Sequence, residues 1–88
     1  MSSPMQLAQD HLDMAHACMI AAKQAFIASR NRSKVIAIAH ARTGSEVTYN
    51  QLHINNRQTM LYVMVHRTSE SAYAAALESF RFQQSALE

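Results

Sequence analysis

The chain has 88 residues, of which 49% are hydrophobic and 16% charged, with a formal net charge of +2. That length reads as a single domain over residues 1–88. One glycine, one proline and one cysteine exclude a glycine-rich phosphate loop and an internal disulfide framework.

At this size folding hides only about 60–65% of the surface that the unfolded chain exposes. So much apolar material is hard for a lone small domain to hide, and self-association, most simply as a homodimer, is expected. The opening "MSSPMQLAQD" has no basic region and no long apolar core, so no signal peptide is expected. No apolar run approaches the roughly 20 residues needed to span a bilayer. The expected address is cytoplasmic, with no membrane contact.

In chain order, "SSPMQ" reads as a helix start. Ser3 can cap, Pro4 suits the first helical position, and Gln6 completes a capping box with Ser3. The helix is predicted from Pro4 to about Arg30, with Asn31 as its C-terminal stop. Met5, Ala8, Leu12, Ala15, Met19, Ala22 and Phe26 recur at spacings of three and four, which makes one apolar stripe. Leu7, Met14, Cys18, Ala21 and Ala25 widen that stripe to nearly half the cylinder. So broad an arc implies that the helix touches two surfaces.

"KVIAIAHAR" is rich in β-branched residues and reads as a strand from Lys34 to Arg42. "TGSE" is a turn on Gly44. "VTYNQLHIN" supplies a second strand, Val47 to Ile54, and "NNR" a second turn. "QTMLYVMVH" reads as a third strand, although its apolar run also fits the start of one long C-terminal helix. Thr68 or Ser69 then caps a last helix whose stripe is Tyr73, Ala76, Leu77, Phe80 and Leu87. The predicted fold is α+β: α-β-β-β-α, a three-stranded antiparallel meander packed against a long N-terminal helix and a C-terminal helix.

With two-residue hairpin loops, one sheet face gathers His40, Tyr49, Met60, Tyr62 and Met64. Aromatic and Met side chains are enriched at interfaces, so these five are candidate partner or dimer contacts, unless the last helix simply covers them. Phe82 lies about half a turn from the last helix's stripe and joins them as a candidate anchor.

The histidines do not assemble a metal site. His11 and Cys18 share a helix face, but two ligands are too few for zinc, and no metal or other cofactor is expected. Cys18 lies mid-helix in an apolar sector, where a thiol is usually inert core. The acidic residues are scattered and none pairs obviously with a histidine in the sequence, so the chain reads as a non-enzyme.

Arg30, Arg32, Lys34 and Arg57 make the one basic cluster, able to meet phosphates. The α-β-β-β-α order resembles that of the double-stranded-RNA-binding domain. The resemblance covers element order alone: where that family carries lysines, "RTSESAYAAA" offers only Arg67, and the first helix is longer. The family is not assigned.

The function expected is a small non-catalytic protein-binding module acting by contact, an adaptor or inhibitor with an unidentified protein partner. Phage-encoded inhibitors of host machinery, anti-CRISPR-type proteins among them, are associated with this size and composition. A nucleic-acid binder using the basic cluster and a small-ligand-binding domain are the alternatives.

Overall fold

The computed structural model describes residues 3–87, Leu87 by its backbone alone. Helix α1 runs Pro4–Thr43 and helix α2 runs Glu46–Leu87. They fold back on each other as an antiparallel hairpin measuring 64 × 19 × 14 Å. Among the described residues there is no strand, so the predicted meander and its α+β class are wrong. Lys34–Arg42 finishes α1, and Val47–Ile54 and the "QTMLYVMVH" stretch lie in α2. The element order that resembled the double-stranded-RNA-binding domain goes with the sheet.

The start of α1 follows the sequence reading in part. Ser3 is extended (φ −69°, ψ 159°), its hydroxyl accepts the Gln6 N–H at 3.1 Å, and Pro4 follows it. The Gln6 side-chain amide donates one turn on, to Asp10 at 2.9 Å. Asn31 does not stop the helix. No non-glycine residue adopts positive φ among the described residues, and a left-handed residue is what a helix C-terminus commonly uses.

That residue is Gly44, at φ 61° and ψ 17°, whose N–H donates to the His40 carbonyl at 2.7 Å. Ser45 turns the chain into α2, its hydroxyl accepting the Val47 N–H at 3.1 Å. Neither Thr68 nor Ser69 caps a helix. Their hydroxyls donate to the carbonyls four residues back, Met64 and Val65, at 2.9 and 2.8 Å, as helix-interior Ser and Thr do.

The long helices follow from a seven-residue repeat. Positions a and d of α1 hold Met5, Ala8, Leu12, Ala15, Met19, Ala22, Phe26, Ser29, Ser33, Ile36 and His40, all buried or half-buried. Those of α2 hold Ser45, Thr48, Leu52, Asn55, Thr59, Tyr62, His66, Ser69, Tyr73, Ala76, Phe80 and Gln83; only Tyr62, at 37% exposure, reaches appreciably into solvent. Spacings of three and four persist without a slip along both helices, which is the pattern of a two-helix coiled-coil seam. Helix propensity differs by less than about 1 kcal/mol per ordinary residue. A sustained seam therefore overrides the β-branched residues that suggested strands.

Small side chains at the α1 d positions (Ala8, Ala15, Ala22 and Ser29) leave room for the larger rings of α2, such as Tyr73 and Phe80, across the seam. The Phe26 ring stacks on His66 with centroids 6.5 Å apart, and His16 tilts against Tyr73 at 5.4 Å.

Halfway to the turn the seam becomes polar. Ser29 and Asn55 are 1% and 4% exposed. The Asn55 amide donates to the Ser29 carbonyl at 3.0 Å and the Ser33 hydroxyl at 2.6 Å. Ser33 in turn donates to Asn56 at 2.9 Å. Thr59 donates to the Asn55 carbonyl at 2.9 Å. A hydroxyl has a single hydrogen, so Ser29 is the donor in its 2.6 Å bond with Thr59. No buried side-chain nitrogen or oxygen among the described residues lacks a partner.

Candidate contact surface

The heptad phase that fixes the seam also fixes what lies beside it. Viewed down either helix, positions g and c flank the a/d seam on one side, and e and b on the other. In an antiparallel pair the two g rows come together, so the c and g rows of α1 and α2 form one continuous side of the hairpin.

That side is apolar. Its c row is Leu7, Met14, Ala21, Ala28, Val35 and Arg42 on α1, then Val47, Ile54, Leu61, Thr68, Ala75 and Phe82 on α2. All are exposed, and all but Arg42 and Thr68 are apolar. Met14 is 69% exposed and Phe82 71%. Val65, a g residue, extends the surface toward the seam. Among residues 3–87 only Arg32 and Arg42 bring a Lys, Arg, Asp or Glu side chain to the c and g rows. Every other one falls at b, e or f.

A shallow groove follows this side. One stretch is lined by His11, Met14 and Cys18 of α1 and by Thr68, Ser69 and Ala72 of α2. The same Thr68 and Ser69 continue it to Leu61, Met64 and Val65. Nearer the turn a separate depression lies between Arg32 and Ile36 on one helix and Gln51, Ile54 and Gln58 on the other.

The residues singled out from sequence scatter over the rod. His40 and Tyr49 meet at the turn, ring centroids 5.8 Å apart, and His40 Nδ1 lies 2.9 Å from the Thr48 hydroxyl. Tyr49 also packs edge-on against His53 at 4.6 Å. Met60 and Met64 are exposed at mid-α2, on b and f positions, while Tyr62 lies at the seam's edge. Phe82 is roughly 50 Å along the helix from Tyr49. The common face that a sheet would have given His40, Tyr49, Met60, Tyr62 and Met64 does not form; Phe82 stands on the c/g side, and Met64, at its edge, lines the groove.

Arg30, Arg32, Lys34 and Arg57 lie at similar heights but point around the rod. They occupy positions e, g, b and f respectively, and the Arg30 guanidinium sits over the Phe26 ring at 5.5 Å. The four present no single basic patch. Cys18, expected in the core, is exposed, and so is His11 on the same face. Among the described residues no group of three or more His, Cys, Asp or Glu is placed to hold a metal ion. His66 does meet an acid, contrary to the sequence reading: its Nδ1 lies 3.1 Å from Glu70 one helical turn on.

Part of the c/g side was visible in the sequence: Leu7, Met14, Cys18, Ala21 and Ala25 are its α1 half. On α2 the sequence singles out Phe82, but Val47, Ile54, Leu61 and Ala75 in the same row were missed. The signal was the exact sevenfold spacing of those residues, hidden because strands were assigned across them.

The fold and this surface define the molecule as an antiparallel two-helix coiled-coil hairpin with an apolar flank. Compared with known protein families, curated proteins and solved structures, the chain matches none of them. Among the described residues no helix is long and apolar enough to cross a membrane.

Proposed function

We propose that this chain is a non-catalytic protein-contact module, an adaptor or inhibitor, that works by laying the apolar flank of its hairpin against a protein partner. One observation carries the reading: the c row is apolar on both helices but for Arg42 and Thr68, and the c and g rows together are almost uncharged, while the b, e and f rows take nearly all the charge. Monomeric soluble proteins rarely leave so long an apolar strip in water, and such strips mark interaction sites. A single cysteine suits a reducing compartment, and the contact is assigned to the cytoplasm.

The test compares capture by three immobilised chains: wild type, Ile54→Glu on the flank and Arg57→Glu away from it. A polypeptide held by wild type and Arg57→Glu but lost with Ile54→Glu supports the reading. Equal capture by all three overturns it. Nucleic acid retained by wild type and lost with Arg57→Glu would replace it with the basic-residue alternative.

A further inference from the structure

We infer that the partner on the apolar flank is a second copy of this chain, reversed end for end, so that two hairpins close into a four-helix bundle. The inference rests on the contact reading above and names its partner.

Three observations identify the occupant. The first is area. The chain exposes 6628 Å², whereas a compact monomer of its mass would expose about 5,200 Å². The excess, on the order of 1,400 Å², is comparable with what each subunit of an obligate dimer buries. One face of a rod 64 Å long and 19 Å wide is of the same order.

The second is the state of the core. Among the described residues, only Ala15, Ala22, Ala76, Ser29 and Asn55 are buried. No large apolar side chain is completely withdrawn from water, although larger ones stand exposed along the flank. A lone hairpin therefore leaves its main apolar content unused. A second layer of helices would bury Leu61, Ile54 and Met14 as the interior of a bundle.

The third is pitch and length. The c row repeats every seven residues on both helices, from Leu7 to Val35 and from Val47 to Phe82. A surface of that period and length fits another hairpin of the same period and length, and a second copy has both. Two-fold association uses the same patch on each subunit, which the flank allows.

Charge decides the orientation. Arg32 and Arg42 both lie in the turn-proximal part of α1, and residues 3–87 bring no acid to the c or g rows. With turns side by side, the two copies would gather all these arginines at one end of the bundle. With turns at opposite ends, each pair is divided between the ends. The reversed arrangement also lays α1 on α1 of the second copy, so the small residues Ala21, Ala25 and Ala28 cross at the middle. Their size permits close approach of the two helices.

The mass in solution is measured by sedimentation equilibrium for wild type, Leu61→Glu, Phe82→Glu and Met60→Glu. Circular dichroism checks helicity of each. The expected result is a wild-type dimer, a dimer for Met60→Glu, and at least a tenfold weaker dimer for Leu61→Glu and Phe82→Glu with helicity retained when associated. A wild-type monomer at high concentration overturns the second copy. If the Ile54→Glu chain nevertheless loses a captured polypeptide, the contact reading survives that failure; without selective capture both fall. Dissociation by Met60→Glu but not by Leu61→Glu or Phe82→Glu would overturn the flank. If the flank variants unfold, mild oxidation of Ala25→Cys in a Cys18→Ser chain decides instead. A disulfide-linked dimer supports the reversed arrangement, and an intact dimer without that link overturns it.

Discussion

The two halves of the seam differ in kind. Away from the turn, Met5, Leu12, Met19 and Phe26 meet α2 beside Tyr73, Ala76 and Phe80, and no interhelical hydrogen bond between side chains is needed. Toward the turn, Ser29 and Ser33 meet Asn55 and Thr59 through bonds of 2.6 to 3.0 Å. Apolar packing is tolerant of a slip by one heptad, because one alanine layer resembles the next. The polar layer is not tolerant, since a slip would leave Asn55 and Ser29 buried without partners. A polar residue within an apolar seam fixes register in this way, at some cost in stability. The apolar half supplies adhesion and the polar half supplies alignment.

The sharpest break to that comparison is a charge in the apolar half. Ala76 is 2% exposed, and Ala76→Asp buries an unpaired carboxylate, with an expected loss of about 3 kcal/mol or more. Urea unfolding should show a collapsed midpoint, and a midpoint near wild type would mean that the seam opens there. In the polar half, Asn55→Ala leaves Ser29 and Ser33 short of a donor. We expect a loss of about 2 kcal/mol and faster amide exchange near the turn than near the termini. Uniform exchange along both helices would contradict the division of labour.

Smaller effects sharpen the picture at the ends. Gly44→Ala should cost about 1 kcal/mol through its left-handed backbone, since a Cβ there meets nothing within 4 Å. Ser3→Ala should cost about 1 kcal/mol or less by removing the cap, with the change confined to fraying of α1 in exchange measurements. Glu78→Gln, at an f position outside both the seam and the flank, should change stability by less than about 0.5 kcal/mol. A larger loss in thermal melting would reveal a contact on the charged side.

How much of this was legible depends on residue type along one unbroken pattern. The stripe Met5 to Phe26 stood out because its members are apolar. The same phase continues through Ser29 and Ser33, but serine carries no hydropathy signal, so the helix was ended at Asn31. Val35, Ile36 and Ile38 then looked like a strand. Of these three only Ile36 enters the seam, while Val35 and Ile38 stay exposed. In α2 the seam begins Ser45, Thr48, Leu52, Asn55, Thr59, so its first turns hide a heptad behind polar side chains. Met60, Leu61, Met64 and Val65 form the opposite illusion: apolar residues that look like core and lie outside it. The candidate contact residues inherited that error, since His40, Tyr49, Met60, Tyr62 and Met64 were joined by a sheet face that does not form.

The sequence by itself determined where the chain can turn. One proline and one glycine mark the start of α1 and the end of α1, because only their backbones favour those conformations. It also determined the breadth of the apolar arc on the first helix. Only the tertiary structure decided that the polar residues between Ser29 and Thr59 are interior. Serine, threonine and asparagine can be buried when their bonds are met by a second helix, and that partner lies across the hairpin, about 20 to 30 residues away, beyond the reach of any local pattern.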